Sequence, residues 1–99
     1  MKKRVITVLG ATGSIGQQAA EVLRLFANEF EVLGLAAGKN TGVLLDQVRM
    51  FMPTYVSIDP DQRTPEFIEE LRHIHPKCEV LVNPEGLLQM AGDPLNDMV

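Results

Sequence analysis

Apolar positions along this chain alternate between two rhythms. Short apolar runs at Arg4 to Leu9, Phe30 to Ala36, Tyr55 to Ile58 and Glu79 to Val82 predict strands. The segments between them space their apolar residues as helices do. A helix over about Ser14 to Ala27 carries Ile15, Ala19, Val22, Leu23 and Phe26 as its apolar positions, with Glu21 and Arg24 on the wet face. A second, about Thr41 to Phe51, puts Leu44, Val48 and Phe51 on one face, broadened by Leu45, and Gly42 slightly weakens its first turn. Met50 and Met52 read as core filler, and Pro53 ends the segment. Thr64, Pro65 and Glu66 form a good helix start, threonine as N-cap and proline first, followed by Phe67, Leu71 and Ile74 at helical spacing. Pro76 closes that helix, and a short one over Pro84 to Ala91 carries Leu87, Leu88 and Met90. The residues Gly92 to Val99 read as a loop leading to a strand that is not completed. Strands alternating with helices, and no repeat or linker, predict one α/β domain: a Rossmann-like, doubly wound parallel sheet, truncated before its next strand. Its ligand belongs outside the carboxyl ends of the strands.

The stretch Gly10-Ala11-Thr12-Gly13-Ser14-Ile15-Gly16 lies between the first strand and the first helix. Gly10 allows a tight turn off the strand, Gly13 lets backbone amides approach a pyrophosphate, and Gly16 lets the helix lie close to the strand. The amides and positive end of that helix make an anion site. Such a pattern in this position points to a dinucleotide, the bland alternative being a glycine turn that only packs.

Composition narrows the setting. The 99 residues are 45% hydrophobic, enough for one core, whereas full dinucleotide-binding folds run to about 130 residues or more. A net charge of −4 and a pI near 5.0 give no basic field for nucleic acid or an anionic membrane. The basic start Met1-Lys2-Lys3-Arg4 precedes too short an apolar run for a signal or spanning segment, and reads as a solubilising lead into the first strand of a cytoplasmic protein. A single cysteine, Cys78, excludes an internal disulfide and reads as a buried or half-buried thiol.

The second informative loop is Ala37-Gly38-Lys39-Asn40, after the second strand. NAD-specific domains place a carboxylate there for the ribose hydroxyls, and this chain places a lysine. Lys39 would attract a 2′-phosphate, Asn40 would hydrogen-bond it or cap the next helix, and Gly38 would leave room for the ribose. The pattern favours NADP over NAD. Asp59-Pro60-Asp61 reads as a turn and helix cap rather than a metal site. His73 and His75, two apart, fall on different helical faces and read as an exposed helix end.

With both loops in place, the chain resembles the N-terminal part of the 1-deoxy-D-xylulose 5-phosphate reductoisomerase family. The resemblance rests on Gly10 to Gly16, Phe30-Glu31-Val32 and Ala36-Ala37-Gly38-Lys39-Asn40, with Leu45, Gln47, Phe51 and Pro53 farther on. It implies that Thr12, Gly13, Ser14, Ile15, Gly38, Lys39 and Asn40 contact NADPH. It also implies a parent enzyme of the non-mevalonate isoprenoid pathway that isomerises and reduces a phosphosugar, uses Mg or Mn held by ligands outside this chain, and forms a homodimer. Two departures stand out: Gln17-Gln18-Ala19 replaces small hydroxyl residues, and the chain is several times shorter than family members. No catalytic residue falls within it, so alone it is expected to be inactive and marginally stable, with an exposed sheet edge. Alternatives are another NADP-linked enzyme such as an aspartate-semialdehyde dehydrogenase, a non-catalytic NADP-sensing module, or an interaction module with an empty glycine turn.

Overall fold

The computed structural model describes residues 4–91 and 97–98. Five strands form one parallel sheet: β1 (Arg4–Val8), β2 (Phe30–Ala36), β3 (Tyr55–Ile58), β4 (Glu79–Val82) and β5 (Asp97–Met98). Their order is β4-β3-β2-β1-β5. Four helices connect them: α1 (Ser14–Leu25), α2 (Thr41–Phe51), α3 (Pro65–Ile74) and α4 (Glu85–Ala91). The chain steps outward from β1 to β4 and then returns to the other flank of β1, so the strand order reverses at β1. In open parallel sheets that reversal is where a crevice opens beyond the strand ends.

Both faces of the sheet are covered. The larger core joins Ile6 and Val8 of β1, Val32 and Leu35 of β2, and Val56 and Ile58 of β3 to Leu23 of α1, Leu44, Leu45 and Val48 of α2, and Phe67 and Leu71 of α3. On the opposite face Ala36 and Tyr55 pack with Leu33, Leu81 and Leu87, so α4 covers the side that the first three helices leave open. This accounts for the near-continuous apolar runs of β2 and β3, which are buried from both sides.

β2 departs from simple alternation. Ile6 pairs with Val32, but Thr7 pairs with Gly34, so Leu33 is an extra residue in the ladder. Val32 and Leu35 consequently face the same core although they are three positions apart. Leu33 faces the other core, and its carbonyl accepts a hydrogen bond from the Thr54 amide at 2.8 Å.

Helix starts follow local chemistry. Thr64 accepts a hydrogen bond from the Phe67 amide at 3.1 Å, with Pro65 in the first turn, and Asn40 caps α2 by accepting from the Val43 amide at 3.3 Å.

Several expectations are corrected. Of the apolar positions expected to pack, only Leu23 is buried, alongside Gly16 and Ala20, while Ile15 is 82% exposed and Val22 and Phe26 about half exposed. The helix ends at Leu25, two residues early, and its outer face carries the Glu21–Arg24 ion pair at 2.9 Å. Met50 and Met52 are exposed and fill no core; Met52 instead ends α2 in a left-handed conformation, φ 47°. His73 is exposed but His75 is half-buried, its Nε2 lying 2.8 Å from the Pro53 carbonyl oxygen. That carbonyl faces the ring because Pro53 leaves α2 beside the end of α3. The strand expected to be missing has begun, since Asp97 and Met98 pair with Ile6 and Thr7. The basic lead over 1–3 and the loop over 92–96 lie outside the described residues.

Cys78 is buried at the head of β4, and burial pushes its thiol up to about 11. At pH 8 roughly one thiol in a thousand is then thiolate. Alkylation by iodoacetamide at pH 8 is therefore expected to be slow in the native chain and fast in urea. Equal rates in both would show that the pocket around Cys78 is open.

Candidate functional site

β1 delivers the chain to Gly10, whose φ of 62° is a left-handed turn that glycine adopts without strain. The chain then doubles back, Gly13 donating its amide to the Gly10 carbonyl at 3.0 Å. A Cβ at position 16 would stand 2.0 Å from the Gly10 oxygen and under 3 Å from the Ala11 backbone, so only glycine allows this approach. α1 thus begins directly over the end of β1.

No side chain caps that helix and no acidic residue stands in its first turn, in contrast to α2 and α3, both capped by side chains. Its leading amides and the positive end of its dipole face outward over the strand ends. An open cleft of about 430 Å³ runs along this edge, lined by Leu9, Gly10, Gly13, Ser14, Ile15 and Ala19 among others. A larger depression of about 650 Å³ lies along α3, and no residue of either loop lines it.

Three polar contacts fix the first loop. The Ala11 amide donates to the Ala36 carbonyl at 2.8 Å, tying the loop to the end of β2. Gln17, one of the departures in the sequence, folds back so that its Nε2 donates to the Thr12 carbonyl at 2.8 Å. Gln47 of α2, buried to 4% exposure, donates from Nε2 to the Ala11 carbonyl at 2.7 Å, while its Oε1 has no partner.

The second loop lies beside the first. The Ala37 amide donates to the Ser57 carbonyl at 2.8 Å, and Gly38, Lys39 and Asn40 follow at the carboxyl end of β2. Asn40 spends its side-chain oxygen on the α2 cap, leaving its amide nitrogen as a donor. Lys39 is exposed but not unpartnered: its Nζ lies 3.0 Å from Asp61 Oδ2 and 3.8 Å from Asp59 Oδ2. The hydrogen bond to Asp61 holds the Lys39 ammonium above its ordinary range and the Asp61 carboxyl below its own. Both groups are therefore charged at neutral pH.

The two aspartates do not behave as the sequence suggests. Asp59 precedes a one-turn 3₁₀ helix, Pro60–Gln62, yet makes no side-chain cap bond to it. Its Oδ1 accepts instead from Asn83 Nδ2 at 3.0 Å. Asn83 also donates to the Ala37 carbonyl at 3.0 Å and accepts from the Ser57 hydroxyl, so one side chain joins the ends of β2, β3 and β4. The sequence reading placed Gln47 in the family resemblance without a role, and missed Asn83 and the turn of Asp61 toward Lys39. Only Gln47 left a signal, as a polar residue inside the apolar stripe of α2. Among the described residues no group of three or more His, Cys, Asp or Glu could hold a metal ion.

Together the reversed strand order, the glycine turn and the two adjoining loops define a Rossmann-like α/β domain. The model of the 1-deoxy-D-xylulose 5-phosphate reductoisomerase family matches residues 6–99, and the chain belongs to that family. It is 37% identical over 86 residues to the 1-deoxy-D-xylulose 5-phosphate reductoisomerase of Clostridium perfringens strain 13, covering 87% of this chain and 22% of that protein. Against the enzyme of the same name from Synechococcus sp. strain JA-2-3B'a(2-13) it is 38% identical over 91 residues, 92% of this chain and 23% of that one. The chain thus spans less than a quarter of the length of these relatives. Among solved structures, the Zymomonas mobilis reductoisomerase in complex with NADPH matches with a TM-score of 0.81 at 25% identity, over 92% of this chain and 24% of that one. A DOX-P reductoisomerase in complex with NADPH, fosmidomycin and magnesium matches with a TM-score of 0.87 at 26% identity, over 95% and 23%. These matches do not favour the aspartate-semialdehyde dehydrogenase alternative.

Two substitutions test the architecture. Gly16→Ala is expected to lower stability by about 1–3 kcal/mol or more, because the obstructing atoms are backbone; an unchanged urea midpoint would contradict the close approach. Gln47→Met removes the bond to Ala11 but also the unpartnered Oε1, two effects of opposite sign and about 1–3 kcal/mol each. Its net cost is expected to stay near 1 kcal/mol while hydrogen exchange at the Ala11 amide accelerates. Unchanged protection there would show that the loop does not depend on Gln47.

Proposed function

We propose that this chain is the NADPH-binding part of an enzyme that converts 1-deoxy-D-xylulose 5-phosphate to 2-C-methyl-D-erythritol 4-phosphate, in non-mevalonate isoprenoid synthesis. The observation that carries the reading is the adjacency of an uncapped helix start at Ser14 and a cationic loop at Lys39, in a family whose relatives are in complex with NADPH. In this reading residues 1–99 are a partial NADP-binding domain, and the catalytic and C-terminal domains lie outside it.

Each residue has a physical part. The amides of Ser14 and Ile15 receive the pyrophosphate, Gly13 letting the main chain come close while its own amide closes the turn on Gly10, and no side-chain carboxylate stands in the first turn to oppose it. The Ile15 side chain, exposed at the cleft, offers an apolar flank. Thr12 lies at the apex, its carbonyl already satisfied by Gln17, so the loop keeps its shape without ligand. Gly38 leaves space for the adenosine ribose. Lys39 supplies the cation for the 2′-phosphate, and Asn40 adds a donor from its amide.

NADPH, when bound, supplies the hydride for the reduction; this chain holds and orients its adenosine and pyrophosphate end. The catalytic residues and the Mg or Mn ligands belong to the remainder of the enzyme. The substrate is a small phosphosugar, the parent a cytoplasmic homodimer, and nucleic acid is not a partner of a chain with net charge −4. Among the described residues no helix is long and apolar enough to cross a membrane.

Calorimetric titration with NADPH and with NADH tests the reading. Clear preference for NADPH is expected, and Lys39→Ala should weaken NADPH by about tenfold to a hundredfold while leaving NADH nearly unchanged. Equal losses for both cofactors would remove Lys39 from 2′-phosphate recognition. Preference for NADH would overturn the assignment of this loop.

A further inference from the structure

The carboxylates of Asp59 and Asp61 have no part in the cofactor reading above, yet the fold directs both at its cationic centre. β3 leaves the sheet at Ile58, and the 3₁₀ turn over Pro60–Gln62 swings the chain toward the end of β2. Asp59 Oδ2 would lie 3.4 Å from a Cβ on Gly38, so this carboxylate rests against the second loop itself. The two acids differ in how they are held. Asp59 is locked by Asn83, whose other bonds run to Ala37 and Ser57. The Asp61 side chain is 62% exposed and meets Lys39 directly at 3.0 Å, in a contact open to solvent.

We propose that Asp61 is a specificity-determining residue: it holds the Lys39 ammonium as an internal stand-in for phosphate and must surrender it to a 2′-phosphate. The proposal rests on the cofactor reading above. Exposed ion pairs contribute little, so the exchange is within reach of a bound phosphate carrying more charge and more acceptor oxygens. Two anions that each touch one ammonium stand roughly 4–6 Å apart, inside the screening length of about 8 Å at physiological salt. Asp61 therefore opposes a 2′-phosphate twice, by occupying Lys39 and by repelling the newcomer. A cofactor with a free 2′-hydroxyl meets neither effect. Asp59, locked by Asn83, stays in place and keeps Lys39 at the mouth of the loop while Asp61 lets go.

The experiment titrates the 99-residue chain and its Asp61→Asn, Lys39→Ala and doubly substituted variants with NADPH and NADH. Asp61→Asn is a near-isosteric change at an exposed site and leaves the fold intact, which circular dichroism checks. It is expected to tighten NADPH about three- to tenfold and NADH less than twofold, widening the preference. The gain should shrink in the Lys39→Ala background and in about 0.5 M salt, where surface charges are screened. A chain that prefers NADPH, and loses that preference in Lys39→Ala, but whose NADPH affinity is unchanged by Asp61→Asn overturns this proposal alone. So does a weakened affinity, which would make Asp61 a partner that orients Lys39. A parent chain with no preference for NADPH overturns the cofactor reading, and this proposal with it.

Discussion

Helix α1 starts where it does because position 16 carries no side chain. With Gly16 against the Gly10 oxygen and the Ala11 backbone, the helix lies closer to the end of β1 than any side chain at position 16 would permit. That approach dictates the rest of the first loop: the left-handed Gly10, the return bond from Gly13, and a helix start facing outward without a cap. It also selects which side of α1 touches the sheet. Gly16 and Ala20 lie one turn apart on that side, and a helix packed so closely has room there for little beyond them and Leu23.

The remaining site is assembled by polar side chains that cross between elements. α2 begins at the cap made by Asn40 and, two turns later, presents Gln47 to Ala11, so one helix braces both loops. Asn83 does the same for the ends of β2, β3 and β4. Half-buried or buried hydrogen bonds of this kind cost much to leave unmade, and they fix a geometry that apolar packing alone would leave loose. Around Lys39 the logic is electrostatic and looser, a cation between one fixed and one exposed carboxylate.

What could be read from the sequence was local. Strands, helix starts such as Thr64-Pro65 and the break at Pro53 are governed by neighbours within a few residues, and they appear where the pattern places them. The glycine turn was legible because each glycine answers to the backbone beside it. The face of α1 was not. Of Ile15, Ala19, Val22, Leu23 and Phe26 only Leu23 reaches the core, because contact distance overrode hydrophobicity and turned Gly16 and Ala20 inward beside it. Likewise Gln47 meets a carbonyl 36 positions away, Asn83 one 46 positions away, and Asp61 meets a lysine 22 positions away. No local pattern records such partners. His75 belongs with them, since Pro53, whose carbonyl its ring meets, lies on another helix exit.

The extra residue in β2 bears on how this sheet tolerates changes of length. Elsewhere in a strand, losing one residue turns every later side chain to the opposite face. At Leu33 it would not: with that residue gone, Val32 and Leu35 would stand two places apart and still share a core, and Thr7 would still meet Gly34. The loss would fall on the packing of Leu33 beneath α4, and Gly38 to Asn40 would keep their address at the strand end. A gap of one residue at this point between this chain and a relative would mark a difference in the α4 side of the sheet, and leave the carboxyl-terminal edge of the strands in step.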